Sequence, residues 1–149
     1  MPVHRESRVV PYGRDQFFDL VADVERYPEF LPLWRSAHID RREGDVYYTD
    51  QRVGIGLWMS LQFHTRTRLD PPTDIEVTSE EDIFESFRIS WHFEAVSETS
   101  CRVDFEQSCD ARSPMIRSIM DLMLLETARS MVEAFETRAR VIYGPTAIG

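Results

Sequence analysis

Six extended runs separated by turn chemistry, followed by one long segment with an apolar stripe, constrain this chain more than any other feature. The runs span 35–42, 45–53, 57–69, 74–79, 86–96 and 100–110. Glu43-Gly44-Asp45, Asp70-Pro71-Pro72-Thr73 and Ser97-Glu98-Thr99 punctuate them at spacings that suit hairpins of an antiparallel sheet. Period-two patterning assigns the faces. Leu57, Met59, Leu61 and Phe63 oppose Trp58, Ser60, Gln62 and His64, while Phe87, Ile89, Trp91 and Phe93 oppose Arg88, Ser90, His92 and Glu94. Val103 and Phe105 repeat the pattern on the last run, and residues 3–10 supply a first strand ended by Pro11-Tyr12-Gly13.

Two helical patterns flank the strands. From Asp15 to Val24, Phe17, Leu20, Val21 and Val24 form a one-faced stripe. Ser113 before Pro114 is a helix start, because the hydroxyl caps free amides and proline lacks one of them. That helix is expected to run to Tyr143 and stop at Gly144-Pro145. Its apolar residues Ile116, Ile119, Met120, Met123, Leu124, Met131, Ala134 and Phe135 fill an arc of roughly 160° along about 45 Å. Between the first helix and the second strand lies Tyr27-Pro28-Glu29-Phe30-Leu31-Pro32-Leu33-Trp34, read as a second short helix. Each X-Pro step predicts a break, at Pro28 and at Pro32, that fixes Tyr27, Phe30, Leu31 and Trp34 in direction.

The order of elements predicts an α+β fold in which a seven-stranded antiparallel sheet wraps around a long C-terminal helix, with two short helices after the first strand. One domain, 1–144, and a short flexible tail, 145–149, are expected for a chain of 149 residues. Wrapping at that curvature leaves a hollow, and the two short helices would close one end of it.

Composition removes several functions. A net charge of −9 disfavours sequence-independent binding to polyanions, and no direct DNA binding is expected. No stretch reaches the length of apolar residues that a membrane span needs, and Met1-Pro-Val-His-Arg-Glu lacks a signal-peptide block, which together predict a cytoplasmic protein. Cys101 and Cys109 fall on one strand, about 26 Å apart, too far for a disulfide.

Catalytic patterns are missing as well. Gly54-Ile55-Gly56 reads as a bulge or turn, and His4, His38, His64 and His92 are scattered without ligand spacing, so neither a metal nor a required cofactor is expected. His64 and His92, which could be neighbours in the sheet, sit in the polar phase, and Glu80-Glu81-Asp82 reads as a solvated turn. Methionine concentrates on the last helix instead, at Met115, Met120, Met123 and Met131, with Met59 facing inward from the sheet. Such flexible, polarizable side chains suit an apolar ligand of loose shape. Leu122 and Leu125 lie off the main stripe, where a membrane or a partner would cover them.

Asp23-Val-Glu-Arg-Tyr-Pro-Glu-Phe-Leu-Pro-Leu-Trp34, Trp91-His-Phe93, Cys101-Arg-Val-Asp-Phe105 and Ala134-Phe-Glu-Thr-Arg-Ala139 resemble the coenzyme Q-binding protein family. This is a branch of the START-like, polyketide cyclase/dehydrase-type superfamily, and the likeness runs from Arg8 to Gly144. It implies a helix-grip fold, a hydrophobic cavity, and a ubiquinone-binding lipid chaperone that supports respiration and is not an enzyme. The same family includes bacterial ribosome-association toxins that block subunit joining, so a ribosome-associated regulator is the alternative. One departure stands at Asp82-Ile83-Phe84, where the family carries Gly-Pro-Phe and only Phe84 matches.

The residues expected to line the cavity are Tyr27, Phe30, Leu31, Trp34, Met59, Phe63, Phe87, Trp91, Phe93, Met120, Met123, Leu124 and Met131. Ubiquinone or a similar isoprenoid lipid is the expected ligand, with Leu122 and Leu125 as the expected contact to a membrane or a partner and any peripheral membrane contact placed at the inner membrane. An aromatase or cyclase would need ionisable groups at inward strand positions, and the phases assigned above carry none.

Overall fold

The computed structural model describes residues 3–31, 33–55, 59–118, 120 and 131–145, with Ile55 and Met59 as backbone only. The chain forms β1 (Val3–Val10), α1 (Arg14–Ala22), a 3₁₀ helix (Val24–Glu29), β2 (Trp34–Glu43), β3 (Val46–Ile55), β4 (Met59–Asp70), β5 (Asp74–Thr78), β6 (Phe84–Ser97), β7 (Ser100–Ala111) and α2 (Met131–Tyr143). The seven strands make one antiparallel sheet in the order β1-β7-β6-β5-β4-β3-β2. Consecutive strands pair as hairpins from β2 to β7, and the first strand closes on the last. This is the helix-grip arrangement expected from the sequence.

Local chemistry accounts for the turns and caps. Gly44 takes φ 60° between β2 and β3, and Gly144 takes φ 83° just after α2, both in the left-handed region where a Cβ is disfavoured. The Ser113 Oγ accepts from the Ile116 N–H at 3.1 Å, and residues 114–118 are helical, as the Ser-Pro start implies. Continuity of the helix across 121–130 lies outside the described residues.

Two boundaries differ from expectation. The first helix ends at Ala22, because Asp23 at φ −86°, ψ 68° leaves helical geometry and the chain tightens into 3₁₀ form. The second helix therefore begins at Val24, three residues early, and runs through Pro28 instead of breaking there. Proline removes one amide donor from a helix with few bonds, and the Tyr27 carbonyl recovers by accepting from Phe30 N at 3.2 Å and Leu31 N at 2.8 Å. Stiffness in this segment thus comes from a compact turn.

The inner face of the sheet packs against α1 and α2. Phe17 and Phe18 meet Phe93 with ring centroids 6.2 and 5.7 Å apart, and Phe93 is fully buried. The end of α2 is tied to the start of the chain by Tyr12 Oη donating to the Gly144 carbonyl and Tyr143 Oη to the Gln16 carbonyl, each at 2.9 Å. Buried Glu136 pairs with Arg8 at 3.3 Å, which joins α2 to β1, and with Arg140 at 3.0 Å within α2.

Both cysteines are buried and unbridged. His64 and His92 are not neighbours, because β5 separates their strands. His64 Nδ1 lies 2.6 Å from Glu81 and His92 Nδ1 lies 2.9 Å from Asp74. Glu81 is therefore an ordered partner of β4, where the sequence suggested only a solvated turn.

Candidate functional site

Among the described residues the buried apolar side chains form two clusters. One cluster gathers Val21, Leu31, Ile75, Trp91, Phe105 and Phe135 with the α1 residues, and a second gathers Val53, Leu61, Phe63 and Phe84 with Phe87, Ile116 and Met120 packed on it. Between them lies a cavity of about 660 Å³, walled by both clusters. Close packing normally leaves few voids larger than a water molecule, whereas small-molecule sites run to about 300–1,000 Å³. Space on this scale falls within the size range of small-molecule sites.

The 3₁₀ segment forms one wall. Tyr27 points inward, and its hydroxyl donates to the Val21 carbonyl; burial, with the neighbouring Tyr47 and Asp23, pushes its ionisation well above the ordinary tyrosine value. Tyr27 and Phe30 meet Phe135 edge to face at 5.3 and 5.1 Å, and Trp91 meets it at 5.2 Å. Arg138 lies over the Phe30 ring at 5.2 Å and binds Glu29 at 2.7 Å. The segment is held from both sides.

A polar strip crosses this apolar wall on β3 and β4. Trp34 Nε1 donates to Gln51 Oε1 at 2.8 Å, and Gln51 Nε2 donates to Thr65 Oγ1 at 2.8 Å. Gln51, Thr49, Thr65 and Thr67 are all buried. Tyr47 Oη donates to the Ala22 carbonyl at 2.8 Å, and burial raises its ionisation to about 12. Toward β1 and β7 the wall carries His4, Gln107, Asp110 and Arg117, the last two paired at 3.3 Å. Cys109 also faces the cavity, with burial pushing its thiol up to about 12.

Of the residues expected at the cavity, Tyr27, Leu31, Trp34, Phe63, Phe87, Trp91, Met120 and Met131 line it. Phe30 does not: its ring is turned onto Phe135 and under Arg138. Phe93 does not either, because α1 covers its end of β6 with Phe17 and Phe18. Met123, Leu124, Leu122, Leu125 and the Met59 side chain lie outside the described residues.

Several wall residues escaped the sequence reading. Phe84 enters through a bulge between Phe84 and Ser86, which lets it share the inner face with Phe87 three positions on, against strict alternation. Tyr47, Gln51 and Thr67 were hidden by their polarity. Continuing the β4 phase from Leu61 and Phe63 would have put Thr65 and Thr67 inside. The inward set is thus less purely apolar than expected, and it includes ionisable His4, Asp110 and Arg117.

Comparison with known proteins adds relatives to this geometry. Residues 10–136 match the sequence family described as polyketide cyclase / dehydrase and lipid transport. A ribosome association toxin RatA from Pseudomonas aeruginosa is 31% identical over 94% of this chain and 96% of its own length. A mitochondrial coenzyme Q-binding protein from Schizosaccharomyces pombe is 24% identical over 93% of this chain and 87% of its own. Among solved structures, a START superfamily protein from Mycobacterium smegmatis superposes with a TM-score of 0.76 at 18% identity, covering 94% of this chain and 98% of that one. The Zhui aromatase/cyclase from Streptomyces sp. R1128 gives 0.79 at 14%, covering 99% and 98%. At those identities the two structures speak for the fold.

Proposed function

We propose that this chain, which belongs to the polyketide cyclase / dehydrase and lipid transport family, is a carrier that holds a ubiquinone-type isoprenoid lipid in the cavity between its sheet and its terminal helix. The observation that carries this reading is the cavity of about 660 Å³, walled mainly by aromatic and aliphatic side chains. Apolar burial at about 25 cal/mol per Å² gives roughly 7 kcal/mol for some 300 Å² of ligand covered, before immobilisation costs. Binding without covalent chemistry needs nothing more from the wall. A quinone is a membrane lipid, so the carrier exchanges cargo by touching the inner membrane from the cytoplasmic side. Among the described residues no helix is long and apolar enough to cross a bilayer.

The test is the lipid that comes with the protein. Native mass spectrometry and solvent extraction of protein purified from quinone-containing cells should recover a quinone at near one per chain. Recovery of phospholipid alone, or of nothing, counts against the reading.

A second reading has its own support, since the relative named a ribosome association toxin is 31% identical, against 24% for the coenzyme Q-binding relative. On that reading the chain binds the ribosome and blocks subunit joining. Sedimentation of ribosomal subunits with added protein discriminates: an unchanged 70S fraction eliminates it.

A further inference from the structure

The hydrogen bonds of the buried strip have a fixed direction. An indole N–H can only donate, so Trp34 Nε1, 2.8 Å away, sets the amide oxygen of Gln51 on its side. The amide nitrogen must then face Thr65, whose Oγ1 accepts at 2.8 Å. That bond uses one of the two protons on Gln51 Nε2, and it occupies Thr65 as an acceptor. Among the described residues neither the second amide proton nor the Thr65 hydroxyl proton has an acceptor, and the Thr49 hydroxyl, opposite Thr65 in register, has no partner. Gln51 lines the cavity, while Thr65 and Thr49 are buried beside it. Gln51 therefore presents an unused donor to the cavity on a stretch of wall that is otherwise mostly apolar, the ionisable His4, Asp110 and Arg117 lying toward β1 and β7.

Buried donors without acceptors are rare, and leaving them unmade is costly. A saturated or purely hydrocarbon ligand would leave them so, and an oxygen acceptor would satisfy them. We infer that Gln51 determines specificity by donating its free amide proton to a carbonyl oxygen of the bound lipid, with Trp34 and Thr65 as positioning residues that hold the amide in the donating orientation. The ligand class this selects is an isoprenoid or polyketide-like lipid carrying a ring ketone or quinone carbonyl at the end that reaches β3, its tail lying toward the aromatic wall of Phe63, Phe84 and Phe87. The inference rests on the carrier reading above and names the polar group of its cargo.

The test compares two probes on the purified chain: coenzyme Q with two isoprene units, and geranylbenzene, which has the same tail on a ring without a carbonyl. Wild type should prefer the quinone, and Gln51→Leu should weaken quinone binding about 3- to 10-fold, the effect of one hydrogen bond, while leaving geranylbenzene unchanged or tighter. Thr65→Val should reduce the preference less than Gln51→Leu. Infrared spectra with carbonyl-labelled quinone read the contact without any substitution, and the bound band should move to lower wavenumber than in hydrocarbon solvent. An unshifted band, or a folded Gln51→Leu that keeps the full preference, overturns the assignment while leaving the carrier reading standing. A wild-type chain that binds neither probe overturns the carrier reading itself.

Discussion

Replacing Phe135 by alanine removes a side chain that joins the 3₁₀ segment, α2 and the sheet at the cavity wall. Phe135 is 1% exposed and meets Tyr27, Phe30 and Trp91 edge to face at 5.3, 5.1 and 5.2 Å. Truncating a buried phenylalanine costs about 3–5 kcal/mol. Aromatic pairs add about 0.5–1.5 kcal/mol each beyond the area they bury, so three such pairs put this site in the upper half of that range, near 4 kcal/mol. With a urea dependence of about 2 kcal/mol per molar, the midpoint should fall by about 2 M. Phe30→Ala is the internal comparison. Phe30 is half-buried with two ring contacts and the Arg138 cation, and its loss should cost roughly half as much. A Phe135→Ala loss below about 1 kcal/mol, or a larger loss at Phe30, would refute the claim that the segment is clamped onto the cavity wall by this residue.

Two further outcomes follow from the buried and paired titrating groups. Burial raises the Cys101 thiol to about 11 and the Cys109 thiol to about 12, so neither should react with iodoacetamide in the native chain at pH 8; rapid labelling without unfolding would contradict their placement. Because these folded values lie above the ordinary thiol value, the stability they contribute is complete below about pH 8.5 and is lost as pH rises toward 11, by up to about 1.4 kcal/mol per pH unit for each thiol. Urea midpoints that stay flat from pH 8 to 11 would count against it. The hydrogen bond that the His64 ring donates to the Glu81 carboxylate raises His64, whose side chain is 59% exposed. Its small contribution, less than about 1 kcal/mol, is present below the ordinary histidine value and fades as pH climbs through the raised one. An NMR titration should place His64 above about 6.5 and His64→Gln should remove the slope; a midpoint at or below that value would deny the pairing.

The fold was legible because hairpin turns and period-two runs carry strand order directly: Gly44, Pro71-Pro72 and Glu98 sit where the chain reverses. The helix start at Ser113 was legible because capping is a local reaction between one hydroxyl and the amides that follow. Much of the cavity wall followed from the same periodicity. Phe84 did not, since a bulge shifts phase without a sequence mark. Phe93 and Phe30 were placed on the correct face but at the wrong neighbour, because which part of a concave face stays open depends on where α1 and Arg138 dock. Gln51 and Thr65 were missed for a different reason. Polar residues were assigned outward, and the hydrogen bonds that make their burial tolerable depend on the residue-by-residue register of β2, β3 and β4, which strand order alone does not specify.

A lipid site and an unfilled core differ in what the cavity takes up. Titration of the purified chain with coenzyme Q of two isoprene units, followed by tryptophan fluorescence from Trp34 and Trp91 on the wall, tests the lipid site most directly when run beside Val77→Phe, which builds a ring into the space from β5. Binding should saturate at one quinone per wild-type chain and be reduced at least about tenfold in a Val77→Phe variant that keeps its fold. Equal binding by both proteins, or none by wild type, would contradict a lipid site in the cavity.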